Sequence, residues 1–218
     1  MDVEEVPYID AHTHRISSSD TWAVYNWIVG QETPEFTRGF LSAGIHPWYI
    51  PENWNESLLS LIDLAQSGKL SAIGECGLDR IITTDFDLQK QVFLAQQMQS
   101  ETFALPLIIH SVKSYSDIAA FRKSLRPSQR WVLHDYFGNA IQTAQLAALG
   151  CWFSISPRHL HKSSFLPTIP LNRLLLETDD FEQSIQEHYE QVCRQLNLSL
   201  PALKAQLFTN FQIVFKQK

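Results

Sequence analysis

The sequence of 218 residues predicts an α/β fold of the TIM-like (β/α) barrel type, distorted or incomplete near the N-terminus. Three observations carry this. Short apolar or β-branched runs alternate with stretches whose apolar residues recur at helical spacing, the pattern of a parallel sheet wrapped in helices. Eight candidate strands follow one another with no Pro/Ser-rich linker or low-complexity segment between them, so residues 1–218 are expected to form a single domain. Several His, Glu and Asp residues stand directly after predicted strands, and barrel proteins keep their chemistry at the C-terminal ends of strands.

In chain order, the apolar run Val6-Pro7-Tyr8-Ile9 forms the first strand and leads into Asp10-Ala11-His12-Thr13-His14. Arg15 to Thr21 is polar and too short for a packed helix, which is why the barrel is expected to be thin here. Trp22 to Val29 is aromatic and β-branched and reads as a strand. Gly30 to Pro34 is a turn, and Phe36 to Gly44 a third strand entering Gly44-Ile45-His46-Pro47-Trp48. Pro51 to Gly68 is a helix with Leu58, Leu61, Ile62 and Ala65 on one side and Gly68 as its terminator. Leu70 to Gly74 is a short buried strand. Phe86 to Thr102 is a helix with Leu88, Val92, Phe93 and Ala95 as its apolar face. Leu105 to Ile109 is an apolar run ending at His110, and Trp131 to Leu133 a strand ending at His134, with a helix from Tyr115 to Ser124 between them. Ala140 to Leu149 is helical and stops at Gly150. Cys151 to Ile155 and Leu174 to Leu176 are strands, the latter ending in Glu177-Thr178-Asp179-Asp180. Ser184 to Leu196 and Pro201 to Phe208 are helices, followed by the tail Thr209 to Phe215.

A hydrophobic content of 44% with 18% charged residues fits a soluble globular protein, and no apolar run reaches the length of a membrane span. The start Met1-Asp2-Val3-Glu4-Glu5 lacks the basic and apolar regions of a signal peptide, so a cytoplasmic location is expected. Cys76, Cys151 and Cys193 are widely spaced and form no C-x-x-C pair, which indicates neither a disulfide framework nor a Cys-rich zinc site. The net charge of −6 argues against a broad basic surface for gripping long nucleic acid. It leaves room for a small site acting on one phosphate, because bound cations supply local positive charge.

Alternate strand residues point the same way, so His12 and His14 share a face and can hold one metal between them. Glu75, His110, His134 and Asp179 each follow a different predicted strand. Four imidazoles and two carboxylates suit Zn²⁺ and neighbouring transition metals. Six ligands exceed the needs of one tetrahedral site, so two metals are expected, with Glu75 as the bridge; such a pair can clamp a phosphoryl centre and activate a water. Asp179 would bind one metal and orient or deprotonate that water.

These segments, in this order, resemble the TatD-type metal-dependent deoxyribonucleases, within the amidohydrolase-like barrels. The resemblance rests on Asp10 to His14, Gly44-Ile45-His46-Pro47, Ile73-Gly74-Glu75-Cys76-Gly77-Leu78-Asp79, Gln89 with Phe93, and Pro106 to Ser111. It continues through Leu133-His134 with Phe137-Gly138, Leu175 to Asp179, and Thr209-Asn210-Phe211 with Phe215. It implies a barrel hydrolase using divalent Zn, Mg or Mn and cleaving phosphodiesters of DNA, commonly as a 3′-to-5′ exonuclease. By matching position it implies His12, His14, Glu75, His110, His134 and Asp179 as metal ligands, Asp179 as the base, and His46 as a contact to substrate or behind the ligands.

The chain departs from the family in three places. The segment between His14 and Gly44 is compressed, Arg80-Ile81-Ile82 replaces the aromatic residues usual after Gly-Leu-Asp, and Asp180-Phe181 runs almost directly into a helix. The substrate, DNA or a smaller phosphodiester, is therefore more open than the chemistry. Arg80 and Arg158 are candidate substrate contacts, with Arg15, Lys113, His159 and His161 as further basic groups. Trp48 and Trp22 could stack on a base, although core or rim packing is the commoner role of tryptophan. The alternatives are an amidohydrolase or phosphomonoesterase on the same barrel, or a metal-binding barrel without catalysis.

Overall fold

The structure is a computed structural model that describes residues 6–15, 20–32, 39–161 and 165–215. The expected start of the third strand, at Phe36, lies outside the described residues, as do Pro34 and Lys162. The eight strands are β1 (Tyr8–Thr13), β2 (Thr21–Ile28), β3 (Phe40–Gly44), β4 (Ala72–Asp79), β5 (Leu107–Val112), β6 (Trp131–Leu133), β7 (Trp152–Ile155) and β8 (Leu174–Leu176), and their order in the sheet follows the chain. The helices are α1 (Trp54–Gln66), α2 (Phe86–Thr102), α3 (Tyr115–Leu125), α4 (Ala140–Ala148), α5 (Ile185–Leu196) and α6 (Leu200–Phe215). The chain divides into two compact units, residues 1–25 with 134–218, and residues 26–133.

In the first unit, β1 pairs in parallel with the start of β2 and β7 with β8. The chain leaving β8 returns to β1: Asp179 donates its N–H to the His12 carbonyl at 2.9 Å, and His14 donates to the Asp179 carbonyl at 3.1 Å. Two helices secure this junction. The buried Tyr189 of α5 accepts the Ile9 N–H at 3.1 Å, and Asn210 of α6 donates to the carbonyls of Leu171 and Leu174 at 2.9 and 2.7 Å. Helix α5 begins at a Ser184/Glu187 capping box, the S-x-x-E arrangement that satisfies two otherwise unpaired N–H groups.

In the second unit, β4 lies parallel between β3 and β5, and β5 pairs with β6. Helix α2 covers these strands with a mixed face. Phe93 is buried beside Trp131, ring centroids 5.6 Å apart, and burying one such side chain is worth about 1.5–3 kcal/mol. Two buried glutamines on the same helix meet backbone that the sheet leaves unpaired. Gln96 accepts from the Ile45 N–H at 2.7 Å and donates to its carbonyl at 3.1 Å; Gln89 does the same for Asp79 at 2.8 and 3.0 Å. A buried peptide group without such a partner costs about 1–3 kcal/mol. These contacts hold the ends of β3 and β4, next to the residues of interest.

Two sequence expectations change. The strand expected to stop at Gly74 runs on as β4 to Asp79, so Glu75 sits inside a strand rather than just past one, and His110 likewise lies inside β5. The tail expected after Phe208 continues α6 to Phe215. No breaker interrupts it, and Leu203, Leu207, Phe211 and Val214, all buried, continue the helical spacing across the expected boundary.

Candidate metal centre

In the first unit, β1 carries His12, with His14 in the bend just beyond, and the stretch after β8 carries Asp179. The Nε2 atoms of His12 and His14 approach Asp179 Oδ1 to 3.7 and 3.6 Å, and their rings stand 5.1 Å apart. His134, directly after β6, places its ring 4.4 Å from that of His12. One donor atom from each of His12, His134 and Asp179 falls within a 4.8 Å group, a spacing that fits one metal ion. Asp179 adopts a left-handed backbone, φ 54°, held by its two backbone hydrogen bonds to His12 and His14. Outside glycine such conformations collect at functional sites.

Carboxylates that sequence reasoning left without a role set this group. Glu177, fully buried, accepts the Asp135 N–H at 2.6 Å and lies 3.3 Å from His134 Nδ1. With Nδ1 donating to Glu177, the lone pair of His134 is on Nε2, the arrangement in which carboxylates hold metal-binding histidines. Asp10, also buried, accepts the Thr178 N–H at 3.0 Å and its hydroxyl at 2.6 Å, tying β1 to the residue before Asp179. Burial pushes the Asp10 carboxyl up to about 7 despite these bonds. Burial acts in the same direction on Asp135, but hydrogen bonds from His159 and Ser156 and the charges of His134 and His159 outweigh it and hold that carboxyl at about 2. Arg158 lies 3.3 Å from Asp135, 3.6 Å from Asp179 and 3.2 Å from Asp180.

In the second unit, Glu75 Oε1 is 2.9 Å from both His110 Nδ1 and His46 Nε2, and these three residues form a second 4.8 Å group. The Glu75 N–H is fixed by Asn26 Oδ1 at 2.7 Å, which also accepts the Ser42 hydroxyl. His46 Nδ1 accepts the Trp48 N–H at 3.1 Å, so in the neutral ring Nε2 carries the proton and donates to Glu75. In that tautomer His46 would support Glu75 rather than offer a lone pair of its own to a cation. Asp79 Oδ2 takes the Trp48 indole N–H at 2.7 Å and lies 3.2 Å from His110 Nε2. Burial would raise the Asp79 carboxyl, but the bonds from His110, Trp48 and the Ile81 N–H bring it below its ordinary value. With Nε2 turned to Asp79, His110 offers Nδ1 beside Glu75, and a cation replacing the proton between them would be held by both.

The six expected ligands thus fall four in the first unit and two in the second. Of the expected substrate contacts, Arg158 sits at Asp179, whereas Arg80 is held in a two-point ion pair with Asp117, at 2.8 to 3.2 Å, and over the Phe86 ring. Asp10, Asp79 and Glu177 all lie within the motifs read from the sequence. A conspicuous carboxylate next to a ligand motif was the available signal, but the pairing of Glu177 with His134, 43 residues away, needs the fold.

Parallel strands with histidines and carboxylates grouped within them and just after them define a metal-binding α/β protein of barrel type. A family model described as TatD related DNase matches residues 29–216, and the chain belongs to that family. It is 34% identical over 146 residues to an uncharacterized metal-dependent hydrolase of Buchnera aphidicola, covering 64% of this chain and 55% of the relative. It is 32% identical over 146 residues to the 3′-5′ ssDNA/RNA exonuclease TatD of Erwinia tasmaniensis, covering 63% and 56%. The matches span little more than half the length of these curated relatives. Among solved structures, the TatD homologue YJJV of Escherichia coli K12 superposes with a TM-score of 0.82 at 18% identity, covering 97% of this chain and 98% of that one. A TatD family hydrolase of Entamoeba histolytica gives 0.78 at 17% identity, covering 97% and 99%. The fold is the TIM-like barrel of those proteins. No helix among the described residues is long and apolar enough to cross a membrane.

Proposed function

We propose that the chain is a divalent-metal-dependent phosphodiesterase that removes nucleotides from single-stranded DNA. The observation that carries this is the donor set. Two histidines, His110 and His134, each turn one ring nitrogen to a buried carboxylate, Asp79 or Glu177, and offer the other beside a further ligand. Residues arranged in this way hold metals in hydrolases. His12, His14, His134 and Asp179 on one unit, and Glu75 and His110 on the other, would hold two ions, of Zn, Mn or Mg. Such ions supply Lewis acidity and lower the pKa of a water.

The protein's own groups do the rest. Asp179, its backbone fixed by β1, accepts the proton of the attacking water. Arg158, 3.6 Å from Asp179, presents a guanidinium that can pair with a phosphate oxygen. Glu75, fixed by Asn26 and His46, keeps its carboxylate beside His110. The family membership and the names of the relatives support the same class of substrate.

The test is release of mononucleotides from single-stranded DNA after chelation and return of Mn²⁺, Mg²⁺ or Zn²⁺, set beside phosphomonoesters and cyclic amides. Metal-dependent release that disappears in Asp179→Ala supports the reading. Turnover in Asp179→Ala equal to the wild type, or activity confined to the other substrates, refutes it.

A further inference from the structure

We propose that Trp48 is the platform on which a nucleobase of the substrate stacks, an inference that rests on the phosphodiesterase reading. Trp48 sits in a one-turn 3-10 helix, Pro47–Tyr49, that follows β3 and is capped by His46. Its indole N–H is bound to Asp79 at 2.7 Å, and the same carboxylate oxygen lies 3.2 Å from His110 Nε2. One buried carboxylate therefore fixes both a candidate metal ligand and an indole whose ring centre is 5.7 Å from that ligand's ring.

Trp48 is nevertheless 52% exposed as a residue, while Trp131 and Trp152, which serve the core, are 0% and 3% exposed. A packing role does not account for a tryptophan that is held in place yet left in water. The rings of His46, His110 and Tyr49 meet it at 89°, 78° and 63°, so none of these three lies parallel to it. Tyr49 beside it is 48% exposed and adds a second aromatic surface. An aromatic ring already held in one orientation loses little freedom when a flat ligand lands on it. Arg80, the cation directly after β4, is engaged by Asp117. The chemistry offered at this edge of the Glu75 and His110 group is thus a flat apolar face, which fits an unpaired heterocyclic base.

The experiment compares binding, by calorimetry with Mn²⁺ present, of a phosphorothioate-linked thymidine dinucleotide and of its analogue lacking one base. The wild type should prefer the complete dinucleotide by roughly five- to 150-fold, the range of one base stacked on an aromatic side chain. Trp48→Ala should lose that preference. Trp48→Phe, which keeps a ring but not the bond to Asp79, should recover part of it, and hydrolysis should show the change in KM more than in kcat. Thermal melts of both variants exclude unfolding as the cause. Equal binding of the two ligands by the wild type, binding of neither, or an undiminished preference in Trp48→Ala overturns the proposal. The phosphodiesterase reading fails separately, through absence of metal-dependent hydrolysis while the base preference persists.

Discussion

Replacing Gly77 by alanine perturbs the link between sheet and metal group at one atom. Gly77 has φ 152° and lies opposite His110 in the β4–β5 pairing. A Cβ there would stand 2.0 Å from the His110 carbonyl oxygen, where real Cβ contacts begin near 3.0 Å. The strands must part by about 1 Å at His110, a displacement that can cost 10²-fold in a catalytic constellation. That shift breaks the 2.9 Å contact to Glu75 and the 3.2 Å contact to Asp79. The backbone conformation costs about 1–3 kcal/mol with a side chain present, and each lost hydrogen bond about 1 kcal/mol more. The sum is about 3–5 kcal/mol, a large share of the 5–15 kcal/mol typical of a domain. Gly68→Ala is the control: φ is 70° but nothing lies within 4 Å of the added Cβ, so only the left-handed penalty of about 1–2 kcal/mol remains. Urea unfolding and metal titration against a fluorescent chelator read both effects. We expect Gly77→Ala to lose at least about 1 kcal/mol more than Gly68→Ala, and about 10–100-fold in metal affinity where the control loses none. Equal losses in the two variants would refute the argument that the glycine is required by the approach of β5.

Further predictions follow from other contacts. Glu177→Gln keeps the shape but weakens the hold on His134, and should lower metal affinity about 10–100-fold in the same titration; unchanged affinity would remove Glu177 from the account. His188, buried with Nε2 donating to the Ile155 carbonyl at 2.8 Å, is lowered to about 4 by burial. The unfolded chain binds that proton from about pH 6.5 downward and the folded chain does not, so the stability it contributes is full above pH 6.5 and is lost as pH falls toward 4. The loss is about 3 kcal/mol. Urea midpoints of the metal-free protein across this window should fall steeply, and less steeply in His188→Gln. Arg80→Met should leave KM within about twofold and cost under about 1 kcal/mol, because its partner is Asp117 in a half-exposed pair. Arg158→Met, beside Asp179, should raise KM several-fold in a nucleotide-release assay.

The strands and helices were legible because each carries its own period. Val92 and Phe93 mark the buried side of α2, and the runs before His110 and His134 mark β5 and β6. Boundaries were harder. Gly74 looks like a terminator in the sequence, but here glycine is needed for the close approach of β5, so β4 continues through it to Asp79. The end of α6 was missed for the opposite reason, since Thr209 and Asn210 suggest a break although Asn210 is used to cap Leu171 and Leu174. Within the candidate site, the histidines and carboxylates that the structure groups were readable as candidates from residue chemistry. Their partners were not, because Asp10 with Thr178 and Glu177 with His134 meet only through the fold. Arg80 shows the same limit: an exposed-looking cation after a strand is a plausible phosphate contact until Asp117 is seen across from it.

The proposed function stands or falls on whether these histidines and carboxylates bind divalent metal. Elemental analysis after equilibrium dialysis against Zn²⁺ or Mn²⁺ tests it most directly, applied to the wild type, His12→Ala and His110→Ala. Two ions per chain are expected in the wild type, and a reduced metal content in each variant, from the first group in one and the second in the other. A wild type that retains no metal, or variants that retain as much as the wild type, would contradict it.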